Sequence, residues 1–261
     1  MLADLYRYRS YILQTSLADV RYRYAGSTVG VFWNVLQPLA LILVFSIVFG
    51  SVFKERGAGV EAPGGFAIYL VSALLPWQAF SECLSRGARA FIHNARYLRK
   101  LPIPEVVFSA QTATSAAIGL AMSYGVFMLV AIALRHWPTW HWLLLPLPLL
   151  SLCVLGFGLG LALGTMNVFI RDIGELIGIV LMVGFWAYPV VYPPEILPQW
   201  AQNALPLNPV YPMLTSARLL FLYGEMPGPG LIAGMIAWPA AAGLAGWLAL
   251  RTLGGEIRDV L

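Results

Sequence analysis

The stretch from Trp142 to Ile170 reads WLLLPLPLLSLCVLGFGLGLALGTMNVFI and contains no charged residue. It is longer than the ~20 apolar residues an α-helix needs to cross the hydrocarbon core of a bilayer. Pro146 and Pro148 stand where the run opens, so they mark the start of a helix rather than interrupt one. Gly156, Gly160 and Gly164 recur every four residues, which stripes one helix face with small residues and lets a second helix approach closely in lipid. The run lacks the G-x-G-x-x-G spacing of a dinucleotide-binding turn and lies inside a span, so its glycines read as packing rather than ligand binding. Gly174 and Gly178 repeat the interval further on.

Five more uncharged runs surround this one, at 24–53, 62–81, 106–134, 176–194 and 226–250. Each is long enough to contribute a crossing, and the expected spans are 30–53, 66–82, 106–134, 142–167, 173–191 and 229–250. Pro76 falls inside the second, where a kink is expected. The 261 residues are 59% hydrophobic and 11% charged, with mean hydropathy +0.75, whereas about a quarter of the residues of a soluble domain are charged. One transmembrane domain spanning 1–261 accounts for the chain, with no room for a second, soluble one.

The placement of the cations orients the spans. With both termini cytoplasmic, Arg7, Arg9, Arg21, Arg23, Arg86, Arg89, Arg96, Arg99, Lys100, Arg171, Arg251 and Arg258 fall inside, and Lys54, Arg56, Arg135 and Arg218 fall outside. That matches the positive-inside bias, and moving the frame by one span reverses it. The opening MLADLYRYRS lacks the apolar core and small-residue cleavage site of a secretory signal. Cys83 and Cys153 are far apart and outside any C-x-x-C pair. His93, His136 and His141 have no metal-helix spacing, so no metal site is expected.

Three segments outside the spans stand out. Residues 4–24 carry Leu5, Tyr8, Ile12, Leu13 and Leu17 at near-helical spacing among arginines, which predicts an amphipathic helix along the cytoplasmic interface; a simple topogenic anchor is the plain alternative. The loop after the second span holds Arg86, Arg89, His93, Arg96, Tyr97, Arg99 and Lys100, then Leu101-Pro102-Ile103-Pro104. A short basic helix with a rigid proline exit can dock on a soluble partner and pass force to the third span. Residues 192–225 are apolar yet broken by Pro193, Pro194, Pro198, Pro206, Pro209 and Pro212. Interior prolines forbid a straight span there, so short re-entrant outer helices are expected, covered by protein or lining a water-filled cavity. The plain alternative is an interfacial loop anchored by Trp200, Tyr211 and Tyr223.

Chemistry of the usual kinds finds little footing. Neither Lys54 nor Lys100 follows a glycine, so there is no phosphate-cradling G-x-x-x-x-G-K-[ST] loop. Ionisable groups keep to the span ends, unlike those of proton- or sodium-coupled carriers. Arg171 and Asp172, with Glu175 one turn on, read as a structural ion pair. An integral-membrane lipid-sugar transferase would need a second, convergent acid beside Asp172, and the sequence offers none.

Taken in order, Arg23-Tyr24-Ala25-Gly26-Ser27-Thr28-Val29-Gly30, Trp33, Gln37-Pro38-Leu39, Leu74-Leu75-Pro76-Trp77, Leu98-Arg99-Lys100-Leu101-Pro102, Asn167-Val168-Phe169-Ile170-Arg171-Asp172-Ile173, Pro189-Val190-Val191-Tyr192 and Asn208-Pro209 resemble the membrane subunits of type-2 ABC exporters for bacterial cell-surface polysaccharide. The O-antigen exporter permease is the nearest likeness, with capsule and teichoic-acid exporters as relatives. The resemblance covers nearly the whole chain. It implies an all-α membrane protein in the inner membrane, working as a homodimer with two copies of a separate ATPase subunit that holds ATP and magnesium. This chain would bind no cofactor and have no catalytic residue. The cargo implied is a lipid-linked glycan; a drug or small amphipathic lipid is the alternative on the same scaffold. The first and fifth spans would border the path, and the N-terminal helix and basic loop would meet the ATPase. Trp33, Phe45, Phe49, Trp77, Phe185, Trp186, Tyr188 and Tyr192 are the path candidates, because aromatic faces stack on sugar C–H surfaces. Arg7, Arg9, Arg86, Arg89, Arg96, Tyr97, Arg99 and Lys100 are the coupling candidates.

Overall fold

The computed structural model describes residues 1–23, 65–261 and the single helical positions Trp33, Leu36, Ala40, Leu43 and Val44. Most of the expected first span, including Phe45 and Phe49, lies outside the described residues. The helices are α1 (Leu2–Arg7), α2 (Arg9–Tyr22), α3 (Gly65–His93), α4 (Ala95–Lys100), α5 (Glu105–Ala133), α6 (Pro146–Phe169), α7 (Ile173–Ala187), α8 (Gln199–Ala204), α9 (Tyr211–Arg218) and α10 (Pro229–Val260). No strand occurs among the described residues.

Among the described residues four segments are long and apolar enough to cross a membrane: Gly65–His93, Glu105–Ala133, Trp140–Phe169 and Pro229–Val260. α7 is equally apolar but has only 15 residues, a length of ~22 Å at 1.5 Å per residue. α3 runs through Pro76 without a break and on to His93, well past the end expected at residue 82. Along its second half Arg86 pairs with Asp19 on α2, Arg89 with Glu175 on α7, and Glu82 with Arg23 just past α2.

α6 is wedged between α3 and α10, and glycine decides how closely. A Cβ on Gly160 would sit 3.2 Å from the Gly87 Cα, and one on Gly164 would sit 2.7 Å from the Gly87 carbonyl oxygen. The expected stripe therefore presses backbone against backbone on α3. Gly158 does the same toward α10, where its Cβ would lie 2.5 Å from the Ala242 carbonyl carbon. Gly178, by contrast, has open space around it.

At the far end of α5, the Arg135 N–H donates to the Ile132 carbonyl and the His136 N–H to the Ala131 carbonyl. This paired ending places Arg135 in the left-handed region, at φ 67°, where glycine is the usual occupant. Arg135→Gly is expected to raise stability by about 0.5–1 kcal/mol through relief of the Cβ clash, read as a higher melting midpoint in detergent.

The proline-broken segment is fastened by side chains. The Phe221 carbonyl accepts the Trp142 indole N–H at 3.0 Å and contacts His136 Nε2 at 2.9 Å. These contacts satisfy an acceptor near the end of the π-helical turn Leu219–Tyr223 that the helix itself leaves open.

Candidate functional site

α2 buries Ile12, Ser16 and Val20, one residue per turn. The Ser16 hydroxyl donates to the Gln111 carbonyl at 3.0 Å, so α2 is docked along the first half of α5. Leu13 and Leu17, expected to share its apolar face, are exposed on another side. The reason is geometric: α5 takes the 12/16/20 stripe, which leaves 13 and 17 pointing away.

Beyond Ser16 a charge network closes the dock. Arg86 on α3 bridges Asp19 at 2.6 Å and Glu82 at 2.8 Å, and Arg23 reaches Glu82 at 2.6 Å. The Ser115 hydroxyl on α5 donates to Asp19. Burial pushes the Asp19 carboxyl up, but the Ser115 hydroxyl, Arg86 and Arg23 outweigh it and hold it below the ordinary carboxylate range. A carboxyl more acidic folded than unfolded lends stability that is complete above its unfolded pKa and is lost as pH falls through the folded one. Acid is therefore expected to loosen α2 below the ordinary carboxylate range. The measurement is hydrogen exchange over residues 9–22, and Asp19→Asn should show that looseness at neutral pH.

A second corner joins α3, α6 and α7. The buried Asn167 amide donates to the Ala88 carbonyl at 2.8 Å and accepts the Gly174 N–H at 3.0 Å, a donor at the start of α7. Arg89 donates to the Gly174 carbonyl at 2.9 Å and pairs with Glu175 at 3.0 Å. The ion pair of this corner is thus Arg89 with Glu175. Among the described residues Arg171 and Asp172, both exposed at the turn, form no ion pair.

These contacts sort the cations at this end of the bundle. Arg86 and Arg89 are engaged inside the chain and tie its helices together. α4 is different: Leu98 is fully buried beneath it, while Arg96, Tyr97, Arg99 and Lys100 are exposed. His93, Arg96, Tyr97, Lys100 and Leu101 line an open pocket of about 600 Å³, as expected for residues spaced by three and four along one helical face. The proline exit is gripped from α10, where Arg258 donates to the Ile103 carbonyl at 3.0 Å and pairs with Glu105 at 2.7 Å. Arg7 and Arg9 are exposed nearby in sequence on α1 and α2, and Arg9 covers the Tyr6 ring at 4.2 Å.

At the other end the path candidates separate. Trp77 is buried against Phe80 and Phe185, with ring centroids 5.8 and 6.1 Å away. Tyr188 is 1% exposed and meets the Thr215 hydroxyl at 3.3 Å. Both therefore pack the chain's own interior. Trp186 is 61% exposed and Trp33 47%; Phe185 and Tyr192 are half-buried.

Sequence reasoning missed Arg218. Counted as an outside loop cation, it is 6% exposed and donates to the Tyr69 hydroxyl and to the Pro189 and Val190 carbonyls. Its one signal in the sequence is its position, a single cation within the longest proline-broken stretch.

A family model described as ABC-2 type transporter matches residues 13–222. The O-antigen export system permease protein RfbA of Myxococcus xanthus is 27% identical over 229 residues, 87% of this chain and 86% of that protein. Two proteins of the same description from Klebsiella pneumoniae are each 24% identical over 209 residues, 80% of this chain and 78% of theirs.

Proposed function

The chain belongs to the ABC-2 type transporter family, and from that premise we propose that it is the transmembrane subunit of an ATP-driven exporter of lipid-linked polysaccharide, of O-antigen or capsule type. The observation that carries the cargo is the likeness to an O-antigen export permease over 86% of that protein's length. In this reading the chain spans the bacterial inner membrane six times with both termini cytoplasmic, and two copies form the passage. α7 and the extended residues after it make the fifth span, and the proline-broken segment dips back into the outer leaflet.

Energy enters from a separate ATPase subunit, two copies per dimer, which holds ATP and magnesium. The exposed face of α4 is its dock, with Arg7 and Arg9 on the N-terminal helices as further contacts. A short helix anchored by Leu98 and stiffened at its exit by Arg258 moves as one body, so a push on α4 is delivered to α5. Of the described path candidates, Trp186 and Trp33 are the most exposed, and we take them as the aromatics that meet sugar rings.

The test is deletion of the gene with complementation. Lipid-linked glycan is expected to accumulate on the cytoplasmic side, and purified chain alone should hydrolyse no ATP. Normal surface glycan in the deletion strain would overturn the reading. Sensitivity to amphipathic drugs with surface glycan intact would assign the small-molecule cargo instead.

A further inference from the structure

We propose that Arg218 is the latch of the exporter's outer end: it holds residues 188–192 closed over the core, and release of their carbonyls opens the exit. The inference rests on the exporter reading for its purpose and on the following geometry for its mechanism.

The Arg218 guanidinium lies at the end of α9. It donates to the Pro189 carbonyl at 2.7 Å, the Val190 carbonyl at 2.6 Å and the Tyr69 hydroxyl at 2.9 Å. Its carbon stands 3.9 Å from the centre of the Tyr69 ring, and the Tyr69 hydroxyl donates onward to the Tyr192 carbonyl at 3.2 Å. One cation and one tyrosine from α3 thus hold three carbonyls of the segment that follows α7. Tyr188 is extended, with φ −102° and ψ 135°, as the residue before a proline is biased to be, so carbonyls beyond Ala187 leave the helical ladder.

The choice of residue is informative. A buried cation is costly unless paired, and no carboxylate contacts this one among the described residues. Its Nε has no partner at all. A site shaped for stability alone would pair the charge or replace it with an apolar side chain. Neutral carbonyls hold a guanidinium less tightly than a carboxylate would, so this contact can be exchanged for water as the segment swings out. Pro189 and Val190 are buried under it, which gives the closed state a direct readout.

The experiment uses the full transporter in cells, with Cys83→Ala, Cys153→Ala and Val190→Cys as the parent. A membrane-impermeant maleimide is added from outside and the labelling rate measured. Val190 is fully buried, so the parent should label slowly. Arg218→Met, which keeps an unbranched stem and loses every donor, should label at least about tenfold faster, the change expected when local opening loses a charge-assisted contact. Arg218→Lys should fall between, because a single ammonium cannot span both carbonyls and Tyr69. Tyr69→Phe, which keeps the ring and removes the hydroxyl, should label roughly threefold faster or more, because it loses the donation to Tyr192 and one acceptor of Arg218. Unchanged labelling in Arg218→Met overturns the latch. If that variant does not accumulate in the membrane, Tyr69→Phe decides, and its unchanged rate overturns the latch equally. Surface glycan is scored separately: normal surface glycan in the deletion strain, with labelling rates that follow the expected order, overturns the cargo and leaves the latch standing.

Discussion

Charge reversal at both Arg96 and Lys100 is expected to abolish export while leaving the chain folded. The two lie four residues apart on the exposed face of α4 and line the open pocket with Tyr97. Neither contributes to an ion pair among the described residues, so the fold does not depend on them; Leu98 beneath carries the packing. Truncating one member of a buried interfacial charge pair typically costs 2–5 kcal/mol, and reversal adds repulsion. Two reversals should therefore weaken ATPase binding by more than about a thousandfold. Co-purification of the ATPase and surface glycan are the measurements, with the melting midpoint as the control. Retained co-purification would mean that the dock lies elsewhere. Arg86→Glu should fail differently, through loss of folded protein, because it breaks the network with Asp19 and Glu82.

The second large effect belongs to Gly158. A valine there would drive its Cβ to 2.5 Å from the Ala242 carbonyl carbon and 2.6 Å from the Gly243 nitrogen. Those are backbone atoms of a helix that cannot rotate away. Extra methylenes in an ordinary core cost about 1–3 kcal/mol, mostly by shifting side chains; here the helices themselves must separate, so the cost lies at or above that range. Gly158→Val is expected to leave little folded protein in the membrane. Gly243→Ala, at a residue whose backbone is in the contact but whose Cβ would face open space, is expected to be neutral. Equal yields of the two variants would refute the seam.

The two glycine positions also show what a sequence can reveal. The 156/160/164 stripe was legible because its period is local, whereas Gly158 gains its meaning only from Ala242 and Gly246, more than eighty residues on. Four of the six expected spans, the second, third, fourth and sixth, were legible for the same reason, since hydropathy needs no partner. The network of Asp19, Glu82, Arg86 and Ser115 was not. Its arginines looked like inside-loop charges, and nothing local says that residue 19 meets residue 115. Aromatic residues posed a different difficulty: Trp77 and Trp186 have the same chemistry, and only packing puts one in the core and the other outside. α4 was readable because both of its limits are written locally, a basic run and then Pro102 and Pro104. Arg218 was read by its charge alone, and its acceptors are carbonyls, which no side-chain pattern records.

The contact of α6 with its two neighbours has a bearing on motion. Where backbones touch, there are no side chains to change rotamer and so no slack for one helix to slip past another. α3, α6 and α10 thus form a single stiff slab. The travel that an alternating passage requires falls to parts fastened by hydrogen bonds and ion pairs: α2 at Asp19, α7 at Asn167 and Arg89, and the outer segment at Arg218. The molecule is divided into frame and hinges by where it places an absent methyl group.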